Sequence, residues 1–386
     1  MRSVFACLVC LLLTMVFLPQ AQASSPTISQ VFAFYCNSQF SSCPYGIEPT
    51  LTPIQLSDGN LYGVTWWAGQ SNPNAGGTVW RVSTAGNAAV VHTFEPNKLN
   101  QFPKGENPVV GFAQGADHNL YGITESGGKT NQGVMYKLLP TRKFQVTHNF
   151  CTGACQDIQG PIITGQDGNF YGVQVGGTAI FKITPQGAYS VVHTLNPETE
   201  GRIGFMTQGK DGNFYGTGSI GSACREQGTV FKMTPSGTFT LLTTFGDLEF
   251  VSDTLVLGSD GNFYGAVAGS IFQLTPAGAV NTIYTLQGED GYTVVQMMQA
   301  SDGNLWVLTS DGGPQPARPG AVFAVTTGGK NVAEAYFDCN STGCSPTGMI
   351  QGSDGNFYGI GGQGGSAPGQ YPLGTVFKIN AGLQPH

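Results

Sequence analysis

Charge is what this chain has least of. Lys and Arg together number 16 and Asp and Glu 23, making 10% of 386 residues, with a formal net charge of −7. No basic stripe is available to meet phosphates, so nucleic acid is not an expected partner. Also missing are a nucleophile–His–acid constellation, any metal-ligand spacing and a phosphate-cradling glycine loop ahead of a helix. No cofactor and no metal are therefore expected. No low-complexity tail, charge block or composition break divides the chain. Long hydrophobic runs are almost absent too. The run from Val4 to Leu18 follows Arg2 and precedes Ala21-Gln22-Ala23. It is short for a bilayer span of about 20 residues, and it reads as a signal peptide over residues 1–23. The expected product is a secreted or periplasmic monomer, a single domain over residues 24–386.

What the chain does have is repetition. The phrase DGNLYG starts at Asp58, DHNLYG at Asp117, DGNFYG at Asp167, Asp211, Asp260 and Asp354, and DGNLWV at Asp302. Successive aspartates are 42 to 59 residues apart, the period of propeller blades or solenoid repeats. In the fourth unit an apolar run from Ile203 to Gln208 leads into the Asp211-Gly212-Asn213 turn, where Gly and Asn tolerate positive φ. Phe214-Tyr215-Gly216 opens a second strand and Thr229 to Met233 alternates as a third. A Thr234-Pro235-Ser236-Gly237 turn then leads to an outer strand from Phe239 to Phe245. The third-strand phrase recurs at Thr78, Ile180, Ile271, Val322 and Thr375 and is degenerate at Val134 to Lys137. With 57 Gly and 22 Pro, many short strands joined by tight turns are expected. The last unit stops after its third strand, and Ile28 to Cys36 resembles a fourth. The expected fold is all-β: a seven-bladed propeller of four-stranded antiparallel blades, closed by the N-terminal strand completing the last blade.

Two of the nine cysteines lie in the leader. Six of the rest form close pairs at one phase of the repeat: Cys36 with Cys43, Cys151 with Cys155, and Cys339 with Cys344. They are expected as three disulfides in an exported protein. Cys224 is left over as a free thiol.

The repeated aspartates do not read as cation sites, because each turn offers one carboxylate where calcium takes six or more oxygens. The aromatic four places on reads as blade packing. His92, His148 and His193 share one register in successive blades, too far apart to share a metal bound at about 2 Å, and His118 replaces a turn glycine. Gln55, Gln114, Gln208, Gln299 and Gln351 stand three places before the turn aspartate, with Thr164 and Leu257 in the other units. They suit solvation of a channel wall, a polar ring or a water column.

Short turns gather on one face and long second-to-third-strand loops on the other, which makes the loop-rich face the expected binding surface. Residues that break the repeat there are the site candidates. Trp66 and Trp67 enter a long polar loop, suited to stacking on sugar rings or to a protein hot spot, or in part to packing between blades. Arg225, Glu226, Arg318 and Tyr371 join them as ligand-binding candidates, with Arg202 and Asp311 as weaker outliers. The expected function is a non-catalytic exported scaffold that binds a glycan or protein. Two alternatives stay open. One is a propeller enzyme, a polysaccharide lyase or glycosidase drawing on Glu48, Glu106, Asp157, Glu226 or Asp253. The other is a structural envelope protein.

The DGNxYG phrase, the following G-T-V-F-K-x-T-P-x-G at Gly228 to Gly237 and the x-L-x-x-F strand resemble the GloVer tandem-repeat family of bacterial exported proteins. Asp302 to Trp306 resembles, more faintly, the repeat of streptogramin lyase-type propellers. Both resemblances imply a propeller and carry no catalytic residue over to this chain.

Overall fold

The computed structural model describes residues 25–385 apart from 38–41, 70–71, 73, 110, 151–157, 222–225, 248–250, 315–317 and 368–369. The leader over 1–23, Cys151 and Cys155, Asp157, Cys224 and Arg225 lie outside the described residues. Seven antiparallel sheets follow one another, forming a seven-bladed β-propeller of four-stranded blades. Blade 1 shows the plan, from axis to rim: Ile47–Gln55, Leu61–Trp67, Thr78–Val82 and Ala88–Thr93. Blade 2 breaks it, because its innermost strand is split into Glu106–Pro108 and Ala113–Gln114. Blade 7 draws on both ends of the chain. Cys344–Gln351, Phe357–Gln363 and Tyr371–Asn380 are joined on the outside by Thr27–Cys36, which runs from Thr27 opposite Asn380 to Cys36 opposite Tyr371.

The middle strands are buried along almost their whole length, as in Phe170–Gln174 and Ala321–Val325, because each blade is sandwiched between two neighbours, and the core is a ring of inter-blade clusters. One, between blades 7 and 1, holds Phe34, Leu61, Trp80, Tyr358, Ile360 and Val376. The next, between blades 1 and 2, holds Val64, Val79, Phe94, Leu120 and Tyr136.

Two of the three expected disulfides are present, Cys36 with Cys43 and Cys339 with Cys344. The third, Cys151 with Cys155, is not among the described residues, because both cysteines fall in the 151–157 stretch.

The repeated turn is a small hydrogen-bonded device. In each unit the aspartate Oδ1 accepts the backbone N–H of the asparagine two places on, and Oδ2 accepts that asparagine's side-chain amide. Oδ2 also accepts the hydroxyl of Tyr62, Tyr121, Tyr171, Tyr215, Tyr264 or Tyr358 at 2.7–2.8 Å, and in the sixth unit the Trp306 indole N–H at 3.3 Å. The aromatic thus does more than pack: its polar end locks the carboxylate that shapes the turn. Burial alone would raise the Asp211 carboxyl, but hydrogen bonds from Asn213, Tyr215 and Lys232 outweigh it and hold its pKa at about 2.

The glutamines are a correction to the channel-wall expectation. Gln55, Gln208, Gln299 and Gln351 each donate their side-chain amide to the carbonyl of their own turn glycine. Their amide oxygens accept the backbone N–H of Ser353, Gln166, Ser259 and Ser301, each in the preceding blade. They are blade-to-blade clasps, and the Gln55–Ser353 bond joins blade 1 to blade 7. Where Leu257 stands at this position, Lys210 of blade 4 reaches the Ser259 carbonyl of blade 5 instead. Nearer the axis the innermost strands slip register against their neighbours, as between Thr50 and Ile54 or Val294 and Gln296. Such bulges turn the backbone inward. Thr52 of blade 1 reaches Gln296 of blade 6 at 3.3 Å, passing over blade 7.

The three outer-strand histidines are framework. His92, His148 and His193 stack on Phe144, Tyr189 and Phe239, the aromatics that open or nearly open the next blade's outer strand, at interplanar angles of 9°, 18° and 7°. Among the described residues no group of three His, Cys, Asp or Glu could hold a metal ion. Burial, reinforced by the Lys104 charge, pushes the His92 imidazole down to about 4. The folded state therefore prefers neutral His92, while the unfolded chain binds its proton near pH 6.5. His92 stabilises the fold fully above pH 6.5 and loses that contribution as pH falls towards 4, at a cost of about 2–3 kcal/mol. Thermal melts across this window should show a shallower acid loss for His92→Phe, which keeps the stack and cannot titrate. An identical pH slope for the variant would show that His92 is not responsible.

Candidate functional site

The long loops leave the far ends of the second strands. In blade 1 that end is Trp66-Trp67, with Trp67 paired to Ile47. The indoles lie 5.9 Å apart at 31°. Trp67 is 44% exposed, whereas Trp66 is only partly exposed, and its N–H is buried with no partner among the described residues. One tryptophan is thus a surface platform and the other its inner support. Ala68 then turns the chain at φ 59 and packs on Cys36 and Cys43, with Ile47 and Leu373 against the same cluster. The Cα atoms of that disulfide are 4.2 Å apart.

Leu373 brings blade 7 into this corner. Two residues earlier Tyr371, 56% exposed, stands opposite Cys36 across the strand pair. Phe32 and Tyr35 pack on Tyr45 behind it, at ring separations of 4.8 and 5.9 Å. Trp67 and Tyr371 therefore share one corner on the loop face at the seam between blades 1 and 7. The Cys339–Cys344 disulfide staples the loop that leads into blade 7. Both described disulfides thus flank that blade, one on each side.

The other described candidates are not drawn to this corner. Glu226 is in blade 4, accepting a hydrogen bond from Ser219, and Arg202 opens the innermost strand of that blade. Arg318 is in the blade 6 loop at φ 41. Asp311 accepts the backbone N–H groups of Tyr292 and Thr293 at 3.0 and 2.9 Å, so it scaffolds its loop. Among the carboxylates weighed for catalysis, Glu48 is exposed at φ 56, and the Asp253 side chain lies outside the described residues. Glu106 stands apart. Burial raises its carboxyl and the Glu125 charge raises it further, against a hydrogen bond from Ser126. The blade 1 loop rests on it: a Cβ on Gly76 would come within 2.4 Å of the Glu106 Cβ. Sequence spacing did not reveal this, because Glu106 and Gly76 belong to different blades.

Among the described residues no helix is long and apolar enough to cross a membrane. No curated protein matches the chain in sequence. Its fold is similar to several solved propellers. A streptogramin B lyase shares 15% identity and a TM-score of 0.61, with 93% of this chain and 99% of that one covered. A catalytically inactive virginiamycin B lyase from Staphylococcus aureus, with quinupristin, shares 14% identity and a TM-score of 0.61, covering 92% and 99%. The extracellular domain of a candidate one-component system from B. thetaiotaomicron shares 12% identity and a TM-score of 0.58, covering 92% of this chain and 43% of that one. At such identities the likeness is one of fold alone. The model of the Gloeobacter/Verrucomicrobia repeat matches residues 28–204. The matched span, which is similar to that repeat, forms part of the seven-bladed β-propeller.

Proposed function

We propose that the protein is an exported, monomeric, non-catalytic scaffold that binds a glycan through the corner formed by Trp66, Trp67 and Tyr371. One observation carries this reading. Two large aromatics, Trp67 and Tyr371, from opposite ends of the chain, stand exposed at one disulfide-stapled corner. Exposed aromatic faces held by a rigid frame suit stacking on sugar rings. Disulfides are compatible with an oxidising compartment. A protein ligand would use the same aromatics as a hot spot. Arg318 and Glu226 belong to other parts of the loop face and would extend the footprint only for a large ligand.

Binding to a glycan array tests this. Trp67→Ala should lower the affinity for the captured glycan at least about tenfold, a loss of about 1.4 kcal/mol, with the melting temperature nearly unchanged because the ring is exposed. Unchanged binding by the Trp67→Ala and Tyr371→Ala double variant would remove this corner as the site. One observation favours the enzyme reading instead. Glu106 has the raised carboxyl expected of a general acid, with a second carboxylate, Glu125, close enough to act on it.

A further inference from the structure

The opposite face, with its short turns, has one place where the repeat fails twice. Blade 2 carries His118 where six units have glycine in the first turn, and Arg142 where five have glycine in the second. Those glycines lie at positive φ, for example +79° at Gly212 and +93° at Gly237. His118 and Arg142 keep that backbone at φ 60 and 64, a left-handed conformation that a Cβ disfavours. Both are exposed, so neither is compensated by burial. Both line the same cavity of about 160 Å³ at the junction of blades 1 and 2, over a floor that includes Leu56, Leu138 and Pro140.

Gln114 lines this cavity as well. Four of its register mates are clasps bonded at both ends of the amide. The Gln114 side chain makes no hydrogen bond among the described residues, and neither the Arg142 guanidinium nor the His118 ring has a hydrogen-bond partner there. The Asp58 carboxylate on the wall is already committed to Asn60 and Tyr62. The polar side chains left over are therefore a guanidinium fork, an amide and an imidazole, with the Ser57 hydroxyl beside them, around leucine and proline side chains.

We propose that this cavity binds a small carboxylate with an apolar body, the guanidinium of Arg142 taking the carboxylate and His118 and Gln114 adding hydrogen bonds. A guanidinium matches a carboxylate with two parallel N–H donors. The volume sets the size of the ligand: a cavity of roughly 150 Å³ holds one benzene ring. A single ring or a short branched chain fits, and an oligosaccharide does not. The site is on the face opposite Trp67, so it stands or falls separately from the glycan reading.

Leucine methyl NMR of the full chain, titrated with benzoate and with the neutral analogue benzyl alcohol, tests it. Benzoate should saturate, move the Leu56 and Leu138 signals, and bind at least about tenfold more tightly than benzyl alcohol. Arg142→Gly restores the residue of the other repeats and relieves the left-handed strain, so the variant should fold with an equal or higher melting temperature. It should bind benzoate at least about tenfold more weakly and benzyl alcohol unchanged. Absence of saturation by about 10 mM benzoate, or equal affinity in Arg142→Gly, would overturn the proposal.

Discussion

Removing residues 24–36 should cost the protein most of its stability. The strand Thr27–Cys36 covers the whole length of Tyr371–Asn380, so its loss bares the outer edge of blade 7. Phe34 is 0% exposed and lies 5.3 Å from the Trp80 ring of blade 1. Truncating such a side chain alone costs about 3–5 kcal/mol, against a typical total of about 5–15 kcal/mol. The deletion also leaves Cys43 without Cys36. A bare, flat strand edge recruits other chains. The expected outcome is aggregation on size exclusion, or a melting temperature lower by more than about 10 °C. A truncated chain that stayed monomeric and melted like the full one would show that the seam between blades 7 and 1 is held by other contacts, such as the Gln55–Ser353 clasp.

The second large effect concerns the glycine that ends the repeated phrase. Gly63 to Ala should destabilise by about 3 kcal/mol through overpacking. A Cβ at Gly63 would come within 2.1 Å of the Trp80 ring on the cross-strand neighbour. The same slot recurs at Gly122, Gly172, Gly265 and Gly359, where a Cβ would meet Tyr136, Phe181, Phe272 and Phe377 at 2.3–2.5 Å. These glycines exist to admit an aromatic ring. Gly59 is the control. Its φ is +75 and a Cβ there meets nothing within 4 Å, so Gly59→Ala carries only the backbone cost of about 1–2 kcal/mol. Denaturant unfolding of both variants should rank Gly63→Ala as the worse. The reverse order would mean that the ring swings aside and the slot is not needed.

The blades were legible because their signal is local. An aspartate, a glycine and an asparagine make a turn wherever they stand, and seven copies at a blade's spacing leave few architectures. The likeness of Ile28–Cys36 to an outer strand was also visible, because the strand's pattern repeats elsewhere in the chain. The glycine slot and the glutamine clasp were not legible. Gly63 has meaning only beside Trp80, and Gln55 only beside Ser353, 298 residues away. For the same reason Trp67 and Tyr371 could each be singled out as exceptions, but their shared corner could not be read. His118 shows the opposite lesson. Alone it replaces a glycine. Its weight comes from Arg142, a second exception in the same blade on the same face.

On the proposed function, the loop face binds without reacting. The most direct measurement exposes the polysaccharides that the protein captures on an array to the full-length protein, and counts new reducing or unsaturated ends. Stable capture with no new ends is expected, from the wild type and from Glu106→Gln alike. New ends made by the wild type and abolished in Glu106→Gln would contradict it, and would make the protein a propeller enzyme with Glu106 as its acid.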